Sequence, residues 1–289
     1  MSDSLNAQSI SRAVILGAGT MGNGIAQVCA QAGIKVVLFD INDDAVATGL
    51  ENIKRMLAKA VEKGKASPED VTATMSCLST STDLIASCEG AQLVIEAIPE
   101  KLELKQSVMA QIESAVAADC LIASNTSSLS ITKISAGMNH PQRFLGMHFF
   151  NPVPLMALLE VVIGEQTDAA NCDLAVELSK RLGKEPIVVQ DAPGFASSRL
   201  GVCIGLEAMR MVEEGVASAA DIDKAMELGY RHPMGPLRLT DLVGLDVRLG
   251  IAEYLCEKLG DRFAPPQILR DMVAEGKLGK KSGEGFYKW

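Results

Sequence analysis

The sequence predicts an α/β protein: a mostly parallel sheet covered by helices, then an all-helical C-terminal domain. Three observations carry that prediction. Up to Gln190, short β-branched runs alternate with longer helical patterns, as they do when helices cross over between parallel strands. The first of these runs ends in a glycine-rich turn that opens an amphipathic helix. From Pro193 onward the strand signals vanish, and Gly/Pro breaks separate helical stretches. A chain of 289 residues exceeds one typical domain, so two are expected, spanning residues 1–190 and 191–289.

In chain order, Met1 to Arg12 is polar and is expected to be a disordered lead-in. Strands are expected at Ala13 to Leu16, Lys35 to Phe39, Leu93 to Ala97, Leu121 to Ser124, Phe144 to Phe149, Leu158 to Ile163 and Ile187 to Val189. The interval between the second and third of these is far longer than a crossover helix needs. Asp43 to Lys63 has helical spacing, so a helical excursion is expected there, a hairpin broken between Gly64 and Pro68. The C-terminal helices should cover Ser198 to Glu214, Ala219 to Leu228, Leu239 to Leu259 and Pro266 to Glu275.

Composition removes several function classes. At 48% hydrophobic and 22% charged, the chain has the makeup of an ordinary globular protein. A net charge of -9 argues against nonspecific nucleic-acid binding, and no apolar run is long enough to span a membrane. The start resembles neither a signal peptide nor a transit peptide. Seven scattered cysteines without a CxxC pair argue against a disulfide framework or a zinc site, and a reducing cytoplasm is the expected location.

Gly17-Ala18-Gly19-Thr20-Met21-Gly22 fits the pattern GxGxxG, in which the glycines serve a tight turn, backbone approach to a pyrophosphate, and close helix packing. A strand precedes it, a helix follows, and Asp40 closes the next strand about twenty residues on. Together these mark a Rossmann-like dinucleotide site. A carboxylate at Asp40 can accept both ribose hydroxyls and would repel a 2′-phosphate, which favours NAD over NADP.

His148 ends one strand just before Phe150-Asn151-Pro152, and open α/β sheets bind ligands at that kind of edge. Glu160 lies within Leu158-Leu159-Glu160-Val161-Val162-Ile163, where an unpaired carboxylate would be expensive to bury. Pairing it with His148 would fix the imidazole tautomer and stabilise the imidazolium, although spacing alone does not establish contact. Ser124-Asn125-Thr126-Ser127-Ser128 follows another strand. There Ser128 or Ser130 suits a helix cap, and Ser127 a hydrogen bond to a substrate oxygen. No His/Asp/Glu cluster has metal-ligand spacing, so no metal is expected. Arg55, Lys59 and Lys63 recur at i, i+4 and i+8, a basic face in an acidic chain that suits either solvent or an anionic ligand.

With Leu16 to Gly22, Val94-Ile95-Glu96-Ala97, Ser124 to Leu129, Met147 to Pro152, His232-Pro233-Met234-Gly235-Pro236 and Gly279 to Tyr287 appearing in this order, the chain resembles the 3-hydroxyacyl-CoA dehydrogenase family. The resemblance runs from Val14 to Tyr287 and is closest to the short bacterial 3-hydroxybutyryl-CoA branch. It implies reversible NAD-dependent oxidation of a 3-hydroxyacyl-CoA to the 3-ketoacyl-CoA, as in fatty acid metabolism. His148 would be the base, Glu160 its partner, and Ser127 a contact to the reacting oxygen and the nicotinamide. NAD contacts are implied for the glycine turn with Thr20 and Met21, and for Asp40, Ala97, Glu100, Lys105 and Lys281. Asn151, Ser198, Lys59 and Lys63 are implied on the substrate side, the two lysines against the anionic CoA moiety.

One departure stands out. Where the family pattern PGFxxNR has Asn, this chain has Ser198, which is too short to offer an amide's paired donor and acceptor. Two other readings stand beside the main one: a dehydrogenase of a free polyol acid such as gulonate, and a noncatalytic NAD-binding protein. The apolar content of the C-terminal helices points to a homodimer formed through them.

Overall fold

The computed structural model describes residues 5–289. The chain forms two compact units, the first ending at Asp191 and the second spanning Ala192–Trp289.

The first unit is built on one eight-stranded sheet in the order β3-β2-β1-β4-β5-β6-β7-β8. Its strands are β1 (Arg12–Leu16), β2 (Lys35–Phe39), β3 (Leu78–Ser81), β4 (Leu93–Glu96), β5 (Leu121–Ser124), β6 (Phe144–Phe149), β7 (Leu158–Ile163) and β8 (Glu185–Gln190). Every neighbouring pair is parallel except β6 with β7, which is antiparallel. The central strands are buried on both faces, which explains why they read as continuous apolar runs instead of alternating ones.

The helical excursion is a pair, α2 (Asp43–Glu62) and α3 (Pro68–Ser76). The Asn42 side chain caps α2 by accepting from the Ala45 N–H, Asp43 and Asp44 lie in its positive first turn, and Lys59 lies in its negative last turn. Val46, Gly49, Ile53 and Leu57 form its buried stripe. A capping box between Ser67 and Asp70, with Pro68 in the first turn, restarts the chain as α3 after Gly64 turns at φ +64°.

The structure corrects three sequence expectations. Leu78–Ser81 pairs in parallel with β2 as an edge strand, but its polar side chains hide it from a hydrophobic pattern. The expected disordered lead-in is ordered over its described part. Ile10 is fully buried, and Arg181 Nη1 donates to the carbonyls of Ala7 and Ile10, both at 2.7 Å. Met1 to Ser4 lie outside the described residues. The third correction falls in the second unit, whose helices are α8 (Ser197–Glu213), α9 (Ala219–Gly229), α10 (Pro236–Val243), α11 (Leu245–Leu259) and α12 (Gln267–Ala274). The single helix expected from Leu239 to Leu259 is two, because Gly244 at φ +105° leaves the helical region.

The second unit packs around Val202, Leu206, Met209, Leu237 and Leu255. Two buried aspartates tie its C-terminal segment down. Asp241 accepts from the backbone N–H of Phe286 and Tyr287 and from Trp289 Nε1, each at 2.9 Å. Asp223 accepts from the Leu237 and Arg238 N–H groups in the first turn of α10 and from the Tyr287 hydroxyl. All seven cysteines are free, and burial pushes the thiols of Cys29 and Cys120 up to about 12. No helix among the described residues is long and apolar enough to cross a membrane.

Candidate active site

Because β1, β2, β4, β5 and β6 run parallel, their C-terminal ends share one edge of the sheet. The order reverses at β1, between β2 and β4, and the crevice of such a sheet opens there. The glycine turn crosses it into α1 (Thr20–Gln31). Each glycine answers a different constraint. Gly17 has φ +94°, and a Cβ there would lie 2.6 Å from the Ala97 carbonyl oxygen. A Cβ on Gly22 would fall 1.6 Å from the Gly17 oxygen. A Cβ on Gly19 would meet nothing within 4 Å, so that bare backbone leaves room for something outside the protein. Gly19 is also the N-cap of α1 and provides no side-chain cap, which leaves the first-turn N–H groups of Thr20 and Met21 to an anion. Asp40 Oδ2 accepts from the Ala18 N–H and Oδ1 from the Ile41 N–H, both at 2.7 Å. Each carboxylate oxygen keeps acceptor capacity for a ribose hydroxyl. The residues present therefore fit a dinucleotide.

Beside the turn lies an ion network that the sequence reading missed in part. Glu96, the last residue of β4, is fully buried; its Oε2 accepts from the Ser124 hydroxyl at 2.6 Å and its Oε1 from the Ile98 N–H at 2.7 Å. Lys105, on α5 (Leu102–Ala115), is 1% exposed. Its Nζ meets Glu96 at 2.5 Å, Glu100 at 3.2 Å and the Ile98 carbonyl at 3.2 Å. Three protein acceptors thus match the three donors of this ammonium. Glu100, partly exposed, accepts from the Thr126 hydroxyl and from the N–H groups of Ser127 at 3.0 Å and Ser128 at 3.3 Å. The network holds the turn that carries Ser127, whose hydroxyl has no protein hydrogen bond among the described residues. Ser130, one of the two expected caps, caps the short helix α6 (Ile131–Ile134). The signal for Glu96 was a carboxylate in an apolar strand, the same signal that drew attention to Glu160.

His148 and Glu160 stand directly opposite each other in the antiparallel β6–β7 register. Nδ1 of His148 lies 2.7 Å from Oε2 of Glu160, and both side chains are buried. With the Nδ1 proton held by the carboxylate, the neutral ring carries its lone pair on Nε2, a tautomer assigned from this hydrogen bond. The Phe150 ring packs at 4.5 Å from the imidazole. Two further buried groups shape this edge. Asn125 Oδ1 accepts from the Phe149 N–H at 2.8 Å, tying the end of β5 to the end of β6. Lys184 Nζ donates to the carbonyls of Val153 at 2.5 Å and Met156 at 2.9 Å, and burial lowers its pKa. It pins the loop between β6 and β7. The sequence marks Asn125 only as a member of the polar cluster Ser124 to Ser128 and does not mark Lys184 at all, because each acts on backbone brought close only by folding.

A cavity of about 160 Å³ opens between α1, α2 and this loop, lined by Thr20, Asn23, Arg55, Met56, Asn151 and Pro152 among others. It brings together Thr20 and Asn151, singled out separately in the sequence, and places Arg55 at the wall. Lys59 and Lys63 are exposed farther along α2. Ser198 and Lys281 lie in the second unit. Ser198 is in the first turn of α8, and Lys281 pairs with Asp246 at 2.5 Å. Among the described residues no group of His, Cys, Asp or Glu could hold a metal.

The glycine geometry separates a folding role from a binding role. Gly19→Ala should leave the melting temperature within about 2 °C while weakening NADH binding at least about tenfold, whereas Gly22→Ala should lower both. Thermal melts with NADH fluorescence titrations read this, and undiminished NADH affinity in Gly19→Ala would refute it.

Sequence comparisons agree with this geometry. Residues 12–192 match the family described as 3-hydroxyacyl-CoA dehydrogenase, NAD binding domain, and residues 194–289 match its C-terminal domain. A Bacillus subtilis protein named probable 3-hydroxybutyryl-CoA dehydrogenase is 43% identical over 281 residues, covering 97% of this chain and 98% of its own. The mitochondrial hydroxyacyl-coenzyme A dehydrogenase of Mus musculus is 44% identical, over 97% of this chain and 91% of its own. The crystal structure of (S)-3-hydroxybutyryl-CoA dehydrogenase from Ralstonia eutropha superposes with a TM-score of 0.92 at 43% identity, covering 97% of this chain and 99% of that one. With a Rossmann sheet, an NAD-binding glycine turn and both domains matched in full, the chain belongs to the 3-hydroxyacyl-CoA dehydrogenase family.

Proposed function

We propose that this protein catalyses the reversible NAD-dependent oxidation of a short-chain 3-hydroxyacyl-CoA, such as 3-hydroxybutyryl-CoA, to the 3-ketoacyl-CoA. The observation that carries the proposal is the buried His148–Glu160 pair at the sheet edge that bears the glycine turn. The glycine turn from Gly17 to Gly22 and Asp40 would hold NAD, which when bound would supply the hydride acceptor for C3 of the substrate. Nε2 of His148 takes the proton of the C3 hydroxyl, and Glu160 stabilises the imidazolium that results. In the reverse direction the same nitrogen returns the proton to the oxygen at C3. Ser127 donates to that oxygen from a turn held rigid by Glu100, Glu96 and Lys105. Asn151 faces the substrate from the cavity wall, and Ser198 is assigned to the substrate side by the family resemblance alone.

His148→Ala should lower kcat about 1,000-fold while NADH still binds, as assayed by NADH oxidation with acetoacetyl-CoA. Glu160→Gln should lower kcat too, by less, because it keeps the hydrogen bond and loses the charge. Near-normal turnover in His148→Ala would sink the assignment.

The anionic CoA moiety meets the basic face of α2, where Arg55 lines the cavity and Lys59 and Lys63 extend the face into solvent. Replacing both lysines with alanine should raise KM for acetoacetyl-CoA about tenfold with kcat little changed, and more steeply at low salt. An unchanged KM would remove these residues from the site.

The protein also acts as a homodimer through its second unit, in a reducing cytoplasm that suits seven free thiols. Leu200 on α8, Leu239 and Leu242 on α10, and Val247 on α11 are exposed apolar side chains, Leu200 by 64%. Sedimentation equilibrium should give twice the chain mass, reduced to one chain by Leu200→Glu combined with Leu242→Glu. A monomeric parent protein would exclude the dimer.

A further inference from the structure

The turn that presents Ser127 is gripped at its entrance by Glu100, and a second carboxylate, sixty-one residues beyond Ser130, grips its exit. That carboxylate is Asp191, the last residue of the first unit. Its backbone is fixed, because its N–H donates to the Ile163 carbonyl at 2.9 Å and carries the parallel β7–β8 ladder one residue past Gln190. Its side chain is half-buried. Oδ2 accepts from the Ser130 hydroxyl at 2.6 Å and from the Thr132 N–H at 2.9 Å.

These contacts begin α6, which has four residues, too few to hold a helical turn by its own hydrogen bonds. Its position is therefore decided by what binds its ends and its buried face. Ser130 caps it by accepting from the Lys133 N–H at 3.2 Å, and the proton of the same hydroxyl goes to Asp191. The Thr132 N–H, an orphan donor of the first turn, goes to Asp191 as well. Between them Ile131 lies over β6 and the end of β7. A Cβ on Gly146 would come within 3.0 Å of its Cδ1, and one on Gly164 within 3.1 Å of its Cγ2. Gly146 is two residues before His148 in β6, so both belong to one face of the sheet. Asp191 thus fixes a helix that rests on the face of β6 to which His148 belongs.

Ser127 and His148 follow from different strands, yet both must reach one substrate oxygen, and a displacement of about 1 Å can cost about 100-fold in rate. Glu100 holds the amides of Ser127 and Ser128, but the chain beyond them is free to swing unless Ser130 is anchored. We propose that Asp191 is a positioning residue for the dehydrogenation: through Ser130 and Thr132 it seats α6 against β6 and so sets the approach of the Ser127 hydroxyl to the oxygen that His148 serves. The proposal rests on the reading of Ser127 as a contact to the oxygen at C3. A carboxylate suits the task because one of its oxygens takes both donors, in charge-assisted bonds stronger than neutral ones.

The test is a double-mutant cycle in the full-length protein with acetoacetyl-CoA and NADH. Asp191→Ala should lower kcat at least about tenfold while Kd for NADH changes by less than about twofold. Asp191→Asn, which keeps one acceptor oxygen, should recover part of the loss. Ser127→Ala should itself lower kcat, and adding Asp191→Ala to it should cost no more than about twofold further, since a hydroxyl already removed cannot be misplaced. A general structural role would make the two losses multiply; that result would overturn the proposal, and so would an unchanged kcat in Asp191→Ala. If Asp191→Ala does not fold, Ser130→Ala breaks the same contact from its other end and is read in the same cycle, with the same two outcomes deciding. Near-normal kcat in Ser127→Ala would overturn this proposal and the role of Ser127 together, while a loss of turnover in His148→Ala would still uphold the dehydrogenase reading.

Discussion

A carboxylate inside an apolar strand must find a partner, and Glu160 finds His148 because β7 runs antiparallel to β6. Burying either group alone would cost several kcal/mol, and a charge-assisted hydrogen bond of 2.7 Å offsets that cost only when the two stand in register. A slip of one residue would turn Glu160 to the other face of the sheet and leave both groups unpaired. The pairing therefore constrains the loop between the strands, which Lys184 holds by its carbonyls, and the end of β5, which Asn125 ties to Phe149.

Glu96 on β4 repeats the same physical device three strands away from β7. It too is buried in an apolar strand, but its partner is a lysine from the following helix. Through Ser124 on one side and Lys105 with Glu100 on the other, it holds the turn that presents Ser127. The resemblance suggested Lys105 as a cofactor contact. In the structure its Nζ meets Glu96, Glu100 and the Ile98 carbonyl. Each buried charge along this edge raises the penalty for misplacing its neighbours, which is how a folded scaffold holds polar groups still before any ligand arrives.

In the second unit Asp223 and Asp241 perform a similar task for the C-terminal segment, whereas the buried Arg248 has no acceptor for its Nε among the described residues.

Much of the architecture was legible without coordinates. Periodicity, caps and glycines are local properties, so the parallel strands, the α2–α3 excursion with its break after Gly64, and the glycine turn could be read from neighbouring residues. The edge strand Leu78–Ser81 could not, because its pairing with β2 owes nothing to apolar side chains, and neither could the helix break at Gly244 nor the docking of Ile10 beneath Arg181. The sequence by itself determined which chemical groups are available: a dinucleotide turn, a histidine, two carboxylates in apolar strands and a serine-rich turn. Only the tertiary structure decided which of them meet, since the reversal of β7 sets His148 against Glu160, while the folding of α5 engages Lys105. Contacts between residues distant in the chain depend on register and topology, which no local pattern encodes.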